Sequence, residues 1–580
     1  MIDQQAALGV ATTRLDERLL ASLGKLQAAS IRFEAVQDVP KGGVLCALPA
    51  LLVLGLLRHS QEHFSLPAGY YPLETIFLAV ALLALGRVPS LEALRYEPPG
   101  EWGKLLGLDR IPEVRTLRAK LGLLCEEGQR VREWSGTLAR AWMAADPESA
   151  GTLYIDGHVR VYHGQLTKLP RRYVARQRLC LRGTTDYWVN ALDGQPFFAV
   201  TQAADPGLLK VLEDRIVPRL LAEVPNQPTA AELAADPYRA RFTMIFDRAG
   251  YSPEFFARQW AQRIAVITYH KFPEAQWAAE EFSLQQVRLV NGEEVALALA
   301  ERGVRLRNGF WVREVRLREA TGHQTAMLAT DYQREMNGVA VALFARWCQE
   351  NFFQYMGQHY GLNRLIEYAT EPLPETTIVV NPAWRQKDQA IRRERAVLVR
   401  QQAQFGAVSL PAGAEPEAVT AYEQQKGQLL AQVQAQERKL AQLKSERKVQ
   451  PRHLALKDLP EPERFRQLRT TQKHFVDTIK LIAYRAETAL VAVVREKLSR
   501  ADDARSLVRQ VFESTVDLCP DLEDKTLTVR LHRLSTEAHD EVLEHLCTEL
   551  TATETVYPGT ELRLIFQPVR ASEIPRDQES

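Results

Sequence analysis

The stretch Phe242-Thr-Met-Ile-Phe-Asp247, together with the earlier Thr152-Leu-Tyr-Ile-Asp156, decides the fold class that the sequence predicts. Each is a short, mostly apolar run that stops at an aspartate, a pattern that indicates a buried strand followed by a loop. A third acid, Glu350, lies inside Phe344–Phe353, a run that predicts a helix. Carboxylates are the oxygen ligands that a pair of hard divalent cations requires. The candidate catalytic and metal-binding residues are therefore Asp156, Asp247 and Glu350.

Each acid also has a simpler interpretation. Asp156-Gly157 is a common turn dipeptide, and Asp247 could cap a helix or turn that begins at Arg248. Glu350 on its own could lie on a solvated helix face. The argument for a site is that the three acids occur together, each on a different element.

The order of the elements around the acids predicts an α/β (α+β) chain with an RNase-H-like catalytic core over residues 150–370. The Asp193-Gly194 dipeptide is a strong hairpin signal between two of its strands. Alternating apolar residues at 282–332 predict a β insertion ahead of the Glu350 helix. The predicted core elements, in order, are strands Thr152–Val161, Tyr187–Ala191 and Pro196–Thr201, helix Leu208–Val224, strand Arg241–Phe246, helix Pro253–Arg263 and strand Ala265–Tyr269.

The flanking regions read as helical. Residues 1–145 include two short helices, Glu101–Leu108 and Glu113–Leu121, whose connection suggests a helix-turn-helix with Arg115 and Arg118 as DNA contacts. A helical hairpin with a solvated basic face has the same pattern. Residues 381–450 predict a helical hairpin or short coiled coil, and residues 463–580 predict a helical region with a small β-α-β tail.

Composition is neutral on function. The 580 residues include 73 basic and 72 acidic ones, so the net charge is +1 and any nucleic-acid surface must be local. The six scattered cysteines argue against structural zinc and disulfides and fit a reducing cytoplasm. The longest apolar run, Val44–Leu57, is shorter than the roughly 20 residues of a membrane span. We expect a cytoplasmic protein without membrane insertion.

Several further residues are candidates for DNA contact. Arg346 and Glu350 are four apart on one helix face, where they either form an ion pair or hold a phosphate and a metal respectively. Lys168, Arg171 and Arg172 form the densest basic stretch of the core, which is either a phosphate-binding patch or a solvated surface.

One tryptophan and two histidines near these elements are further candidates for a functional role. Trp311 in the β insertion could stack on an unpaired base, although a core position is the expectation for a large aromatic residue. His158 and His163 are expected to be structural, because no further ligand spacing supports a histidine–metal site.

The chain resembles the DDE transposases of bacterial insertion sequences, in particular the subgroup with a β-strand insertion between the second aspartate and the glutamate. The resemblance rests on Tyr154-Ile-Asp-Gly-His158, Met244-Ile-Phe-Asp247 and Arg346-Trp-Cys-Gln-Glu-Asn-Phe-Phe353. The family's helix pattern has an outer tyrosine and an outer lysine, and these positions are Leu343 and Gly357 here.

The resemblance implies a function and a mechanism. The three acids would hold two Mg²⁺ ions, for which Mn²⁺ can substitute, and cleavage at a transposon end would free a 3′-hydroxyl that attacks target DNA. The implied partners are double-stranded DNA, as terminal inverted repeats and target, and a second copy of the chain in a homodimeric synaptic complex. The alternatives are an inactive, transposase-derived DNA-binding protein and a nuclease of the same fold.

Overall fold

The computed structural model describes residues 13–569 apart from 165–166, 168, 175–178, 290–291, 411–414, 462–463 and 535, and it omits the side chains of residues 172 and 173. The described chain is a mixed α/β protein. Its contacts divide it into two compact units. The first unit contains residues 1–162, 172–369 and 469–580, and the second contains residues 163–171 and 370–468. The four regions expected from the sequence stay a prediction.

The strands are numbered β1 to β18 along the described chain. They are β1 (Val36–Val39), β2 (Thr152–Val161), β3 (Arg171–Val174), β4 (Leu179–Asn190), β5 (Pro196–Gln202), β6 (Thr243–Phe246), β7 (Ala265–Tyr269), β8 (Ser283–Arg288), β9 (Glu294–Arg305), β10 (Trp311–Arg318), β11 (Gln324–Ala329), β12 (Thr370–Pro372), β13 (Ile378–Val380), β14 (His453–Ala455), β15 (Arg466–Leu468), β16 (Val516–Asp521), β17 (Thr526–Leu531) and β18 (Arg563–Pro568).

The described α-helices are named below by their residues. They span Leu15–Ser22, Leu48–Val53, Ser60–His63, Leu73–Leu85, Pro99–Leu105, Val114–Leu124, Gly128–Ala145, Pro147–Ala150, Leu208–Val211, Val217–Glu223, Ala230–Ala235, Pro253–Ala261, Met336–Phe344, Trp347–His359, Pro382–Ala407, Pro416–Val449, Thr471–Arg495, Ala504–Glu513 and Glu537–Ala552. The helix predicted at Leu208–Val224 is interrupted by a π-helical turn at Leu212–Ile216. None of the described helices is long and apolar enough to cross a membrane.

The largest sheet has ten strands in the order β3-β4-β2-β6-β7-β11-β10-β9-β8, with β5 also paired to β4. Strands β2, β6 and β7 run parallel, whereas β4 is antiparallel to β2 and β5 is antiparallel to β4. The predicted β insertion adds β8 to β11 to the sheet, because β11 pairs antiparallel with β7. The insertion therefore widens the central sheet and is not a separate layer.

Both faces of the central strands are buried, which explains their uninterrupted apolar sequences. Tyr154, Ile245 and Ile267 pack with the helix Met336–Phe344 in one small core. Their strand neighbours, such as Leu153 and Met244, belong to the main core of the unit. Successive strand residues point to opposite faces, so the two cores divide each strand between them.

The helix Thr471–Arg495 lies at the centre of the first unit. It packs against the helices Leu73–Leu85, Gly128–Ala145 and Ala504–Glu513, and against β5. Most of its residues are buried, including the ionisable residues Lys473 and Glu487. Residues near the two ends of the chain thus share one core with the central sheet.

A second sheet in this unit has the order β1-β16-β17-β18. Strands β17 and β18 pair in parallel and are connected through the helix Glu537–Ala552, whereas β1 and β16 were missed by the sequence reading. The N-terminal strand β1 lies at the edge of this C-terminal sheet. Only the folded chain could show that pairing, because its partners are almost 480 residues apart.

The second unit consists mainly of two long antiparallel helices, Pro382–Ala407 and Pro416–Val449. Their contact surface is small and apolar, with Ile391 and Leu398 from the first helix and Val433 and Leu440 from the second. Ion pairs flank this stripe, among them one between Lys439 Nζ and Glu394 Oε1 at 2.8 Å. Two short strand pairs, β12 with β15 and β13 with β14, complete the unit.

Candidate active site

Asp156 lies within strand β2, whose bounds are those predicted, Thr152–Val161, so the expectation that a strand stops at Asp156 was wrong. Strand β2 continues to Val161 through its pairing with β4, in which Gly157 is opposite Tyr187, so Asp156-Gly157 is not a turn. What ends near Asp156 is the pairing of β2 with β6, whose last register pair is Ile155 with Phe246. Asp156 is the first residue of β2 beyond that pairing.

Asp247 follows β6 directly and therefore lies next to Asp156 across two parallel strands. Because Tyr154 and Ile245 share one face of the sheet, strand alternation places Asp156 and Asp247 on that face as well. Asp247 also has the capping role considered from the sequence, since its Oδ1 accepts a hydrogen bond from the Ala249 amide at 2.9 Å. Capping leaves Oδ2 of the same carboxylate with no hydrogen bond to a described residue.

Glu350 lies in the first turn of the helix Trp347–His359. The predicted helix is broken, because Met336–Phe344 ends before Ala345 and a new helix begins after Arg346. Because of this break, the helix Met336–Phe344 packs in the small core, whereas the helix Trp347–His359 contacts β2 and β4.

Arg346 links two of the three acids. Its Nη2 donates to Glu350 Oε1 at 2.6 Å, and its Nη1 lies 3.7 Å from Asp156 Oδ2. The ion pair considered from the sequence is therefore present, and it extends to an acid on another element. The guanidinium is mostly buried, and its Nε has no hydrogen-bond partner among the described residues.

Gln349 fixes the start of this helix against the sheet, a role that the sequence reading missed. Its side chain is fully buried, and Nε2 donates to Asn190 Oδ1 at 2.8 Å and to the Trp188 carbonyl at 3.2 Å. Both acceptors are on β4, the strand paired with β2. A buried glutamine beside the candidate acid, in a stretch of aromatic residues, was the available signal.

His158 has the structural role expected for it. The imidazole is buried and stacks on Phe353 of the Glu350 helix, with ring centres 4.9 Å apart. Its Nε2 lies 2.5 Å from Asn363 Oδ1. The contact joins β2, two residues beyond Asp156, to the helix that carries Glu350. His163 is exposed and belongs to the second unit.

The local charges shift the pKa of Asp156. Burial and the negative charge of Asp247 raise the pKa of this carboxyl to about 6, although Arg346 acts in the opposite direction and Glu350 adds to the rise. Burial alone would lower the pKa of Arg346, but Asp156 and Glu350 outweigh that effect and raise it. The site therefore has unneutralised negative charge, which is the condition for cation binding.

The acids are close enough to interact but do not form a closed ligand cluster. Among the described residues, the only group of acid, histidine or cysteine ligand atoms all within 4.8 Å of one another is Asp38, Asp517 and His532. That group lies on the β1-β16-β17 sheet, where His532 Nε2 is 3.0 Å from Asp517 Oδ1.

Replacing Asp156 by asparagine is expected to stabilise the metal-free protein at pH 7.5 by about 1–2 kcal/mol. The pKa of an aspartate is ordinarily near 3.8, whereas that of Asp156 in the folded protein is about 6. Ionised Asp156 therefore destabilises the folded protein above about pH 6. Below a pH of about 3.8 the carboxyl is protonated in both the folded and the unfolded protein, and this destabilisation is absent. The advantage of the Asp156→Asn protein should therefore shrink as the pH falls from 6 to 4. Urea unfolding in EDTA at both pH values measures it, and a destabilised variant at pH 7.5 would contradict the assignment.

The predicted DNA-binding residues are spread over the structure. Arg115 and Arg118 lie on the exposed side of the helix Val114–Leu124, and Arg118 pairs with Glu92. Arg171 is exposed in the second unit, Lys168 lies outside the described residues, and the side chain of Arg172 is not described. Their role in DNA binding stays a prediction.

Trp311 is not a core residue, so that expectation was wrong. Its side chain is 46% exposed, and its ring stacks on Tyr332 with ring centres 5.5 Å apart. Trp311 is the first residue of β10. Strands β10 and β7 begin at the same end of the sheet, because β11 lies between them and is antiparallel to both. The acids follow the other end of the parallel strands, so Trp311 does not line the candidate site.

Comparison with known proteins gives one informative result. Residues 9–570 match the model of a family described as "Transposase protein". A search of curated proteins found no match.

Proposed function

The chain belongs to the transposase family that it matches almost from end to end, and from that premise we propose that it is a DDE transposase with its active site at Asp156, Asp247 and Glu350. The observation that carries the proposal is the meeting of the three acids. Asp156 and Asp247 are adjacent on parallel strands, and Arg346 ties Asp156 to Glu350.

The sheet supports an RNase-H-like core as part of this proposal. Its central five strands have the order β5-β4-β2-β6-β7, in which the first three are antiparallel neighbours and the last three are parallel. Along the chain, the strands and helices of this core follow the predicted order, apart from the additional strand β3 and the short helix Ala230–Ala235. In parallel sheets, ligands bind beyond the carboxyl ends of the strands, which is where Asp247 lies.

The donor set fits a divalent metal. Asp156, Asp247 and Glu350 offer only carboxylate oxygens, which suit Mg²⁺ or Mn²⁺, and burial together with the charge of Asp247 raises the pKa of Asp156. When bound, two such ions lower the pKa of an attacking water or hydroxyl and neutralise charge on the phosphate. The side chains of Asp156 and Glu350 are 25% and 38% exposed, so solutes can reach them.

The chain's own residues supply alignment and charge. Gln349 and His158 hold the Glu350 helix against β4 and β2, which fixes the direction from which the third carboxylate approaches. Arg346 is a cation in contact with two of the acids, and it can also contact a phosphate oxygen of the strand to be cut. Duplex DNA and a homodimer during synapsis complete the proposal, by family analogy.

Joining of pre-cleaved ends tests the proposal. Incubating the protein with a 3′-hydroxyl transposon-end duplex, a target plasmid and Mg²⁺ should give covalently joined products that are absent in EDTA. Cleavage without joining would show a nuclease instead of a transferase. Specific end binding without either product would show a DNA-binding protein that has lost its activity.

A further inference from the structure

The two long helices of the second unit concentrate positive charge that the rest of the chain lacks. The helices Pro382–Ala407 and Pro416–Val449 contain twelve basic and six acidic residues, whereas the remainder of the chain has 61 basic and 66 acidic ones. The two helices are therefore strongly basic although the net charge of the whole protein is close to zero. We call these two helices the basic arm.

The acids of the arm's first helix are engaged within the arm. Asp388 pairs with Arg392 at 3.0 Å and with Arg447, and Glu394 pairs with Lys439 at 2.8 Å. The pairs with Arg447 and Lys439 join the two helices, whereas the pair with Arg392 lies within the first helix. The first helix has no further acidic residue that could neutralise its outer face.

That outer face carries three arginines in a row. Arg385, Arg393 and Arg400 are exposed and have no carboxylate partner among the described residues. They are eight and seven residues apart, so they lie on one side of the helix, turned away from the buried Ile391 and Leu398. The other residues of this face are neutral or basic: Gln386, Gln389, Arg392, Ala396, Val399 and Ala403.

The spacing suits a nucleic-acid backbone. A rise of 1.5 Å per residue puts Arg385 and Arg400 about 22 Å apart along the helix, which is the length of roughly six to seven base pairs of duplex DNA. Guanidinium groups bind phosphates in a fixed fork geometry. A row of arginines without carboxylate partners offers charge-assisted contacts to phosphates, and such contacts do not depend on base sequence.

We propose that the basic arm binds the sugar-phosphate backbone of duplex DNA through Arg385, Arg393 and Arg400, independently of sequence. The choice of DNA as the polyanion rests on the proposed function. The three arginines belong to the second unit, whereas the three acids and the predicted contacts Arg115 and Arg118 belong to the first.

The test compares two triple variants that lose the same charge. The arm variant is Arg385→Gln, Arg393→Gln and Arg400→Gln. The control is Arg239→Gln, Arg258→Gln and Arg307→Gln, which are exposed arginines of the first unit, each paired with a glutamate. Glutamine preserves helix propensity, and circular dichroism checks that both variants fold.

Binding to two unrelated 40-base-pair duplexes is measured in EDTA, in an Asp156→Asn background, at 50 to 200 mM salt. The arm variant should bind both duplexes at least tenfold more weakly at 100 mM salt, and the slope of log K against log salt should fall by about 0.9 per lost contact, or nearly 3. The control should match its parent. Lysine at the three arm positions should restore most of the slope, because it keeps the charge.

Equal slopes for the arm variant and the control would overturn the inference, as would a parent that binds neither duplex. A loss of affinity with an unchanged slope would also overturn it, because it indicates a contact other than phosphate. Since cleavage is not measured here, normal cleavage by an Asp156→Asn protein would refute the proposed active site and leave the arm result standing.

Discussion

The Glu350→Gln protein is expected to cleave transposon-end DNA at least about a thousandfold more slowly than the parent in Mg²⁺, and Asp247→Asn should have a comparable effect. Metal-assisted stabilisation of a phosphoryl-transfer transition state is worth several kcal/mol, and about 4 kcal/mol corresponds to three orders of magnitude in rate. Each substitution replaces a carboxylate by an uncharged amide of nearly the same shape. Single-turnover cleavage of a labelled end duplex gives the rate.

DNA binding should change little, because the acids add no attraction for phosphate. Glu335→Gln is the matched control. Glu335 is exposed, precedes the neighbouring helix and makes no side-chain capping bond, so its cleavage rate should stay within about twofold of the parent. Cleavage at the parental rate by the Glu350→Gln protein would remove Glu350 from the site.

The largest expected loss of stability comes from Glu487, which lies on the central helix and is fully buried. Its Oε1 accepts from Arg87 Nη2 at 2.8 Å and from the Tyr355 hydroxyl, and its Oε2 accepts from the Tyr360 hydroxyl at 2.5 Å. The Glu487→Ala protein would leave the Arg87 guanidinium buried and without its carboxylate. Breaking such a pair from one side costs about 3–5 kcal/mol.

Glu496→Ala serves as the comparison, since Glu496 follows the same helix and its side chain is 71% exposed. This substitution should change the free energy of unfolding by less than about 0.5 kcal/mol. Urea denaturation followed by fluorescence and circular dichroism measures both variants. Tyr355 lies on the Glu350 helix and Tyr360 ends it, so the Glu487→Ala protein should also lose cleavage activity. Equal stability of the two variants would show that the Glu487 network contributes nothing.

Strand β7 was predicted at its observed bounds, and β6 within two residues, because short buried strands have apolar sequences that end at polar residues. Strand β2 was also predicted at its observed bounds, Thr152–Val161. The expectation that failed is that the strand stops at Asp156, where the apolar run ends. The strand continues because the polar residues His158 and Arg160 are buried by long-range partners such as Asn363 and Asp186, and local pattern cannot identify such distant partners.

The residues that hold the Glu350 helix show the same limit. Glutamine and histidine have no fixed preference for the core, so the local sequence could not identify the residues that Gln349 and His158 contact. Their hydrogen-bond acceptors lie on β4 or beyond the helix. The prediction that Trp311 is a core residue was wrong for a related reason. An aromatic residue in an alternating strand can face either side of the sheet, and the sequence does not show which side is covered.

The sequence by itself determined the mixed α/β class, the strand and helix textures around the three acids, and the helical character of the 381–450 region. Those features depend on the periodicity of apolar side chains, which acts over a few residues. Tertiary structure alone decided that Asp156 and Asp247 are neighbours, that Arg346 joins two acids, and that the two acids of the arm's first helix pair within the arm while Arg385, Arg393 and Arg400 stay exposed. These are properties of strand register and helix packing, which are set by burial between segments far apart in the chain.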